Sequence, residues 1–350
     1  MSDTLIINDI LNAAAERKAT DVHLVAGNNP VIRVEGRLVT LADQAILTGD
    51  ILTALAEAFL AKEEFERLSK EKEVVTIYNW ADRSRYRAKV FYQKGFLAVS
   101  LRLISPFIRA PKDLGVPAAV LQLLNRDKGL IIITGPFGSG RTSTAASLVE
   151  TLNQNKGIHI QTLEKPIEYL FSNNQSVIEQ RSVGKDVNTF ISGLKNMLDE
   201  DIDAVFVDCM HEDGMEELIL ELSESGKLII LIMDADSIIS ALERFISNIP
   251  VDKKEWGKDL LANSLLGAVA QRLLPRVGGG LTMASEVLVN IPAVRSSIRD
   301  GKLQQLNSIM QTSKHEGMIS LDKALSELVR VGEISIEDAR NQAVDSEGFN

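Results

Sequence analysis

The spacing of apolar and polar residues divides the chain into two regions with different periodicities. In residues 1–104, apolar and polar positions alternate over short stretches, most clearly over residues 97–103, which predicts strands with one solvated face. Helical spacing appears over residues 5–15 and over residues 51–59, with Asp50 as the expected N-cap. Short strands joined by turns favour an antiparallel sheet. We therefore predict a small mixed α/β domain here.

The second region, residues 118–350, carries apolar runs that do not alternate. Such runs, separated by segments of helical spacing, predict buried strands of a parallel sheet covered on both faces. From about residue 258 to residue 342 the pattern favours helices, and the polar tail from residue 345 is expected to be frayed. Prolines punctuate residues 105–117, which is typical of an extended linker. The predicted strands are Leu130–Thr134, Ile158–Thr162, Ala204–Val207 and Leu228–Ile232.

Composition excludes several classes of function. The chain has 350 residues, of which 45% are hydrophobic and 25% charged, as is ordinary for a globular protein. A formal net charge of -10 argues against nucleic acid as the main partner, because an acidic surface gains nothing from counterion release. A single cysteine, Cys209, rules out an intrachain disulfide and fits a reducing compartment. Without a secretory signal or an apolar run near the ~20 residues that span a bilayer, we expect a cytoplasmic protein that reaches a membrane only through partners.

The strongest candidate for chemistry directly follows the first apolar run of the second region. Glycines recur there with the spacing of the phosphate-binding P-loop, G-x-x-x-x-G-K-[ST], except that Arg141 holds the lysine position. Glycines let successive N–H groups point into one anion-sized hollow, and the helix that follows aims its positive end at the same place. The predicted nucleotide-binding residues are Gly135, Pro136, Phe137, Gly138, Ser139, Gly140, Arg141, Thr142 and Ser143.

Two side chains set the expected chemistry of this loop. The Thr142 hydroxyl suits Mg²⁺, so ATP with Mg²⁺ is the predicted ligand pair. Arg141 keeps the charge of lysine but presents a wide planar fork, so the exchange is not conservative. The alternative is a glycine-rich turn that merely joins a strand to a helix. The flanking strand and helix patterns argue against that alternative but leave open whether nucleotide is still held tightly.

Other segments along the chain resemble those of one family. The segments are Ala19–Leu24, Arg33–Gly36, Ser84–Arg87, Lys112–Pro117, Gln271–Leu274, Gly278–Gly280, Ala293–Asp300 and Gly317–Asp322. Together with the loop, they make the chain similar over almost its whole length to the type IV pilus retraction ATPases, the twitching-motility motors of the secretion ATPase superfamily. The last two segments favour retraction ATPases over pilus-assembly and type II secretion ATPases, although a relative of that second group stays an alternative.

The resemblance implies an architecture and partners. It implies an α/β chain with a PAS-like N-terminal domain (residues 1–104), a flexible linker (105–117) and a RecA-like P-loop domain with C-terminal helices (118–350). ATP would lie between the two domains and near a neighbouring subunit. The ring would be a homo-hexamer, or a mixed hexamer with a catalytically competent paralogue. It would engage the inner-membrane platform protein of a type IV pilus.

The chain departs from the family pattern where the chemistry is expected. Cys209 stands where the family's Walker B segment carries a glutamate that would activate the attacking water. Asp208, which replaces a family glycine, is either a substitute ligand for Mg²⁺ or a strand-end carboxylate without a catalytic role. Glu164 is the remaining candidate for organising the water. Further departures are Arg141, Lys165, Lys195, Asp199 and, at the two histidine positions, Lys227 and Asp234.

These departures leave three interpretations open. The first is a retained fold and ring with weakened hydrolysis, with Glu164, Asp208 and Cys209 at the catalytic positions and Thr142 and Asp208 near the metal. The second is a working ATPase that has redistributed its catalytic groups, with Glu164 or Asp208 as the base. The third is a non-enzymatic scaffold or regulator of a partner motor ring.

Overall fold

The computed structural model describes residues 2–34, 36–80, 84–210 and 212–349. Two positions in family-like segments, Glu35 and His211, lie outside the described residues. The chain forms two compact units, Met1–Phe107 and Ile108–Asn350. Within the described part, no helix combines the length and the apolar character needed to cross a membrane.

The N-terminal unit is built on a six-stranded sheet. Its elements are α1 (Ser2–Glu16), β1 (Asp21–Val25), β2 (Val31–Val34), β3 (Arg37–Thr40), α2 (Gly49–Phe59), α3 (Lys62–Glu71), β4 (Glu73–Trp80), β5 (Ser84–Gln93) and β6 (Phe96–Ile104). The strand order is β3-β2-β1-β6-β5-β4, and every neighbouring pair is antiparallel. The predicted antiparallel sheet is therefore confirmed.

Two details of this unit differ from the sequence-based expectation. Strand β3 was not predicted, because all four of its residues are exposed and no apolar alternation marks it. The N-cap of α2 is Thr48, whose hydroxyl accepts a hydrogen bond from the Ile51 N–H at 3.3 Å. Asp50 was expected to cap this helix and instead lies in its first turn, where a negative side chain still favours the positive end of the helix.

The C-terminal unit is built on a seven-stranded sheet. Its strands are β7 (Gly129–Gly135), β8 (His159–Glu164), β9 (Val177–Ser182), β10 (Ala204–Val207), β11 (Leu228–Asp234), β12 (Leu265–Pro275) and β13 (Leu281–Val289). The order is β13-β12-β7-β11-β10-β8-β9. Strand β13 runs antiparallel to β12, and the other neighbouring pairs are parallel.

Helices cover both faces of this sheet, which explains why its strands read as unbroken apolar runs. In β7, Leu130 and Ile132 enter one buried apolar cluster, whereas Ile131 and Ile133 enter another on the opposite face. The helices are α4 (Pro111–Leu114), α5 (Ala118–Leu123), α6 (Arg141–Asn155), α7 (Phe190–Leu198), α8 (Met215–Glu224), α9 (Ile238–Asn248), α10 (Lys254–Ser264), α11 (Pro292–Arg299), α12 (Leu306–Thr312), α13 (Leu321–Arg330) and α14 (Ile336–Gln342). The predicted fold class is thus confirmed, with a helical part from α11 onward.

The prediction that residues 258–342 are mostly helical was too broad. Strands β12 and β13 lie within this segment, and β9 was also missed. An apolar run as long as that of β12 fits a buried helix and a buried strand equally well, so its pairing with β7 decides between them. The tail was also wrongly expected to be frayed. Phe349 is 5% exposed, packs with Leu325 and Ile334, and accepts a hydrogen bond at its carbonyl from Arg340 at 2.8 Å.

Candidate nucleotide-binding site

The predicted site residues come together at one edge of the C-terminal sheet. Strand β7 ends at Gly135, β8 at Glu164 and β11 at Asp234, while Asp208 directly follows β10. These four strands are consecutive in the sheet, in the order β7-β11-β10-β8, and they run parallel. Carboxyl ends of parallel strands share an edge, which is where ligands bind in open α/β sheets. The fold therefore places the glycine loop and the acidic candidates side by side.

The loop after β7 has a backbone that requires glycine. Gly135, Gly138 and Gly140 have φ values of 144°, 81° and 89°, which residues with a side chain rarely adopt. A side-chain carbon on Gly135 would also lie 2.4 Å from the Gln271 carbonyl oxygen and 2.6 Å from Ser139 Oγ. The first of these glycines is therefore fixed by packing as well as by backbone conformation.

The loop is held against the sheet by β12. Gln271 Nε2 donates a hydrogen bond to the Ser139 carbonyl oxygen at 2.7 Å, and both side chains are almost completely buried. Sequence reasoning assigned no role to Gln271. The available signal was an amide directly after the apolar run of residues 265–270, because a buried amide needs a polar partner.

Helix α6 begins at Arg141 with Gly140 as its N-cap. Because glycine has no side chain to cap the helix, the first N–H groups of α6 remain available to a ligand. Thr142 and Ser143 lie half-buried in this first turn. The Ser143 hydroxyl shares a 2.8 Å hydrogen bond with the Tyr169 hydroxyl, which joins α6 to the segment after β8.

Arg141, the cationic side chain of the loop, already has partners within the protein. Arg141 forms an ion pair with Asp234, and its Nη1 donates to the Met233 carbonyl oxygen at 2.8 Å. Only 13% of the Arg141 side chain is exposed. Sequence analysis identified Arg141 and Asp234 as separate departures from the family pattern. The structure brings them into direct contact.

Glu164 is buried at the end of β8, and only 2% of the residue is exposed. Burial, followed by repulsion from Asp208, raises its pKa to about 8, although hydrogen bonds from Thr162 (2.6 Å) and Gln180 (3.2 Å) oppose the shift. The raised pKa favours the protonated carboxyl, which must lose its own proton before it can accept one from water.

The two residues after β10 occupy different environments. Asp208 is half-buried at the sheet edge, where its Oδ2 accepts a hydrogen bond from the Lys165 N–H at 3.3 Å. Cys209 is buried in the apolar cluster that also contains Val207 and Met215. A thiol packed among apolar side chains is disfavoured as a thiolate and is poorly placed to activate water.

Other departures from the family pattern lie outside this edge or face solvent. The Lys165 side chain is exposed. Asp199 ends α7 as its C-cap. Lys227 precedes β11 and is buried at the opposite, amino-terminal end of that strand, with its Nζ 3.5 Å from the Ser225 hydroxyl. The structure thus brings Asp234 to the loop, whereas it does not bring Lys227 there.

The arrangement of sheet, loop and helix has relatives. Residues 110–336 match the family described as Type II/IV secretion system protein. PilT of Pseudomonas aeruginosa, named a type IV pilus retraction ATPase, is 30% identical to this chain over 345 residues, which covers 98% of this chain and 99% of PilT. The chain belongs to the type IV pilus retraction ATPase family.

Two further comparisons agree with this placement. PilU of Pseudomonas aeruginosa, named a type IV pilus ATPase, is 29% identical and covers 94% of this chain and 86% of PilU. A crystal structure of the pilus retraction motor PilT with bound ADP superimposes with a TM-score of 0.84 at 36% identity, covering 97% of each chain. The retraction ATPase fold therefore extends over both units of this chain.

Proposed function

We propose that this retraction ATPase relative is a nucleotide-binding subunit of a type IV pilus retraction motor, with slow hydrolysis or none. The observation that carries the proposal is the loop from Gly135 to Ser143. Its glycine backbone, its anchor to Gln271 and the uncapped start of α6 are features of a phosphate-binding loop, and they lie at the carboxyl edge of a parallel sheet. The PilT structure similar to this chain contains ADP, which supports a nucleotide as the ligand here.

The residues around the loop fit a magnesium nucleotide. Thr142 and Asp208 would hold Mg²⁺, which would neutralise charge on the phosphates. Within the described residues, Ser139 Oγ of the loop is buried without a hydrogen-bond partner. ATP would lie against this loop and near a neighbouring subunit.

The relatives also support an assembly and a place of action. We infer a hexameric ring, formed by this chain alone or with a catalytically competent paralogue, that acts in the cytoplasm at the pilus platform protein of the inner membrane. The names of PilT and PilU support the link to the pilus. A net charge of -10 speaks against nucleic acid as the substrate of the ring.

The proposal of weak hydrolysis rests on three side chains. Burial raises the pKa of Glu164 and favours its protonated form, Cys209 is packed in the core, and Arg141 is paired with Asp234. The same observations favour a second candidate function, a non-enzymatic scaffold or regulatory subunit of a partner ring. The two candidates differ in whether the loop holds nucleotide.

Equilibrium binding of a fluorescent ATP analogue with Mg²⁺ tests the proposal, with the unmodified protein and Arg141→Lys measured side by side. We expect a dissociation constant on the order of micromolar for the unmodified chain. Phosphate release would then be compared between this chain and Cys209→Glu. Absence of binding by both the unmodified chain and Arg141→Lys would overturn nucleotide binding and leave the non-enzymatic subunit.

A further inference from the structure

A carboxylate of the neighbouring strand lies directly beside the first glycine of the nucleotide loop. In the pairing of β7 with β11, Asp234 is the partner of Gly135. The Asp234 side chain is half-exposed at the sheet edge and is ion-paired with Arg141. The cation that stands at the P-loop lysine position is therefore neutralised by a side chain of the protein itself.

The end of β11 is fixed from several sides, so this contact does not depend on a mobile loop. Arg244 of α9 donates from Nη1 to the Asp234 carbonyl oxygen at 2.8 Å. Thr134 Oγ1 donates to the carbonyl oxygens of Met233 (3.1 Å) and Ala235 (2.9 Å). The same Met233 carbonyl accepts the hydrogen bond from Arg141. The guanidinium is thus held by a rigid strand end.

We propose that Asp234 is a selectivity-determining residue of the nucleotide site, which competes with the terminal phosphate of a nucleoside triphosphate for Arg141. The inference rests on the proposed function of the loop. Carboxylate and phosphate oxygens bind a guanidinium in the same way, so a phosphate that binds at Nη1 of Arg141 must take the place of Asp234. The cation of a P-loop reaches the outer phosphates of a triphosphate.

The cost of this competition differs between two classes of ligand. A triphosphate brings more negative charge toward the Asp234 carboxylate than a diphosphate does, and it relies more on the cation at position 141. The unmodified site therefore binds nucleoside diphosphates at least as tightly as nucleoside triphosphates. Removal of the Asp234 charge releases Arg141 and shifts the preference toward the triphosphate.

The experiment measures equilibrium binding of Mg²⁺-ATP and Mg²⁺-ADP to the full-length protein and to Asp234→Asn. The substitution is nearly isosteric at a half-exposed position, and a melting curve verifies folding. We expect ATP to bind about tenfold more tightly to Asp234→Asn, which corresponds to about 1.4 kcal/mol. For ADP we expect a change of about threefold or less, so the ratio of the two dissociation constants moves toward ATP.

Two controls separate a specific ion pair from general repulsion. Asp236→Asn removes the same charge two positions along the chain, where the side chain is exposed and the backbone carbonyl binds Arg272. We expect Asp236→Asn to change the affinities for ATP and ADP by about twofold or less, since salt screens the interaction of an exposed carboxylate with the bound nucleotide. In an Arg141→Gln background, Asp234→Asn should no longer tighten ATP binding, because no guanidinium remains to be released.

Each outcome decides the inference. A gain for ATP that is confined to Asp234→Asn and lost in the Arg141→Gln background supports it. The inference is overturned, while the proposed function stands, if Asp234→Asn and Asp236→Asn act alike or if the gain persists without Arg141. Absence of nucleotide binding by every variant would overturn both the inference and the proposed function.

Discussion

The glycine loop after β7 and the ends of the neighbouring strands share one sheet edge, yet only the loop keeps the family pattern almost intact. The backbone of the loop carries positive φ values at three glycines, and Gly135 is closely packed against Gln271 and Ser139. At the neighbouring strand ends, by contrast, Lys165 is exposed and Asp234 is half-exposed. A glycine in the loop is thus constrained by the fold itself.

This difference shows that two kinds of requirement act at the same edge. Replacement of Gly135 would disturb packing whether or not nucleotide binds. An exchange at Lys165 or Asp234 leaves the core untouched, so only the chemistry of the site constrains it. The backbone of a phosphate-binding loop can therefore persist in a chain whose side chains at the catalytic positions have changed.

The largest effect is expected for Gly135→Ala. Its methyl group would collide with the Gln271 carbonyl oxygen and Ser139 Oγ in a backbone region unfavourable to alanine. We expect the free energy of unfolding to fall by on the order of 3–5 kcal/mol, with loss of nucleotide binding. Urea denaturation and nucleotide titration measure both.

Gly138→Ala is the matched control for this substitution. Gly138 also has a positive φ, but an added side-chain carbon would meet no atom of the described residues within 4 Å. We expect a stability loss of only about 1 kcal/mol. Equal losses for the two variants would show that packing against β12 does not constrain the loop.

A second prediction concerns Glu164 and pH. Its pKa is about 8 in the folded protein against an ordinary value of 4.5. The folded state therefore binds more protons than the unfolded state between these values, so stability falls as pH rises through this window. The slope from this one group is at most about 1.4 kcal/mol per pH unit. Glu164→Gln should remove that slope in chemical denaturation measured without Mg²⁺.

Glu179→Gln provides the comparison for Glu164, since the Glu179 carboxylate is half-exposed on β9. We expect this variant to keep the pH dependence of the unmodified protein. An unchanged slope in Glu164→Gln would mean that the buried carboxyl does not carry the excess proton.

The smallest effect is expected for Cys209→Ala. The thiol is buried in an apolar cluster, so its removal leaves a small cavity and costs about 1 kcal/mol of stability. We expect the rate of phosphate release to be unchanged, because a thiol packed among apolar side chains is shielded from the attacking water. Val207→Ala, in the same cluster, sets the stability scale for truncation there. A loss of turnover with Cys209→Ala alone would instead assign the thiol a catalytic role.

Much of the fold could be predicted because local patterns carry it. Alternation in β6 reflects one buried face, and the unbroken apolar runs in β7, β10 and β11 reflect two buried faces. Both patterns are visible in the sequence without knowledge of which strands pair. The P-loop was equally visible, because its glycines and Thr142 lie at a fixed spacing within residues 135–142. Strand β12 was missed, because an apolar run of its length indicates burial without stating which backbone partner it takes.

The chemical state of the site was decided by tertiary structure alone. Arg141 meets Met233 and Asp234, more than ninety positions along the chain, only because β7 and β11 are neighbours in the sheet. The pKa of Glu164 is raised chiefly because burial at the end of β8 excludes water from its carboxyl. Charge pairing and desolvation depend on which distant segments meet, whereas periodicity and loop spacing are local. The sequence thus determined that a phosphate loop exists, and the packing of the sheet determined which charges surround it.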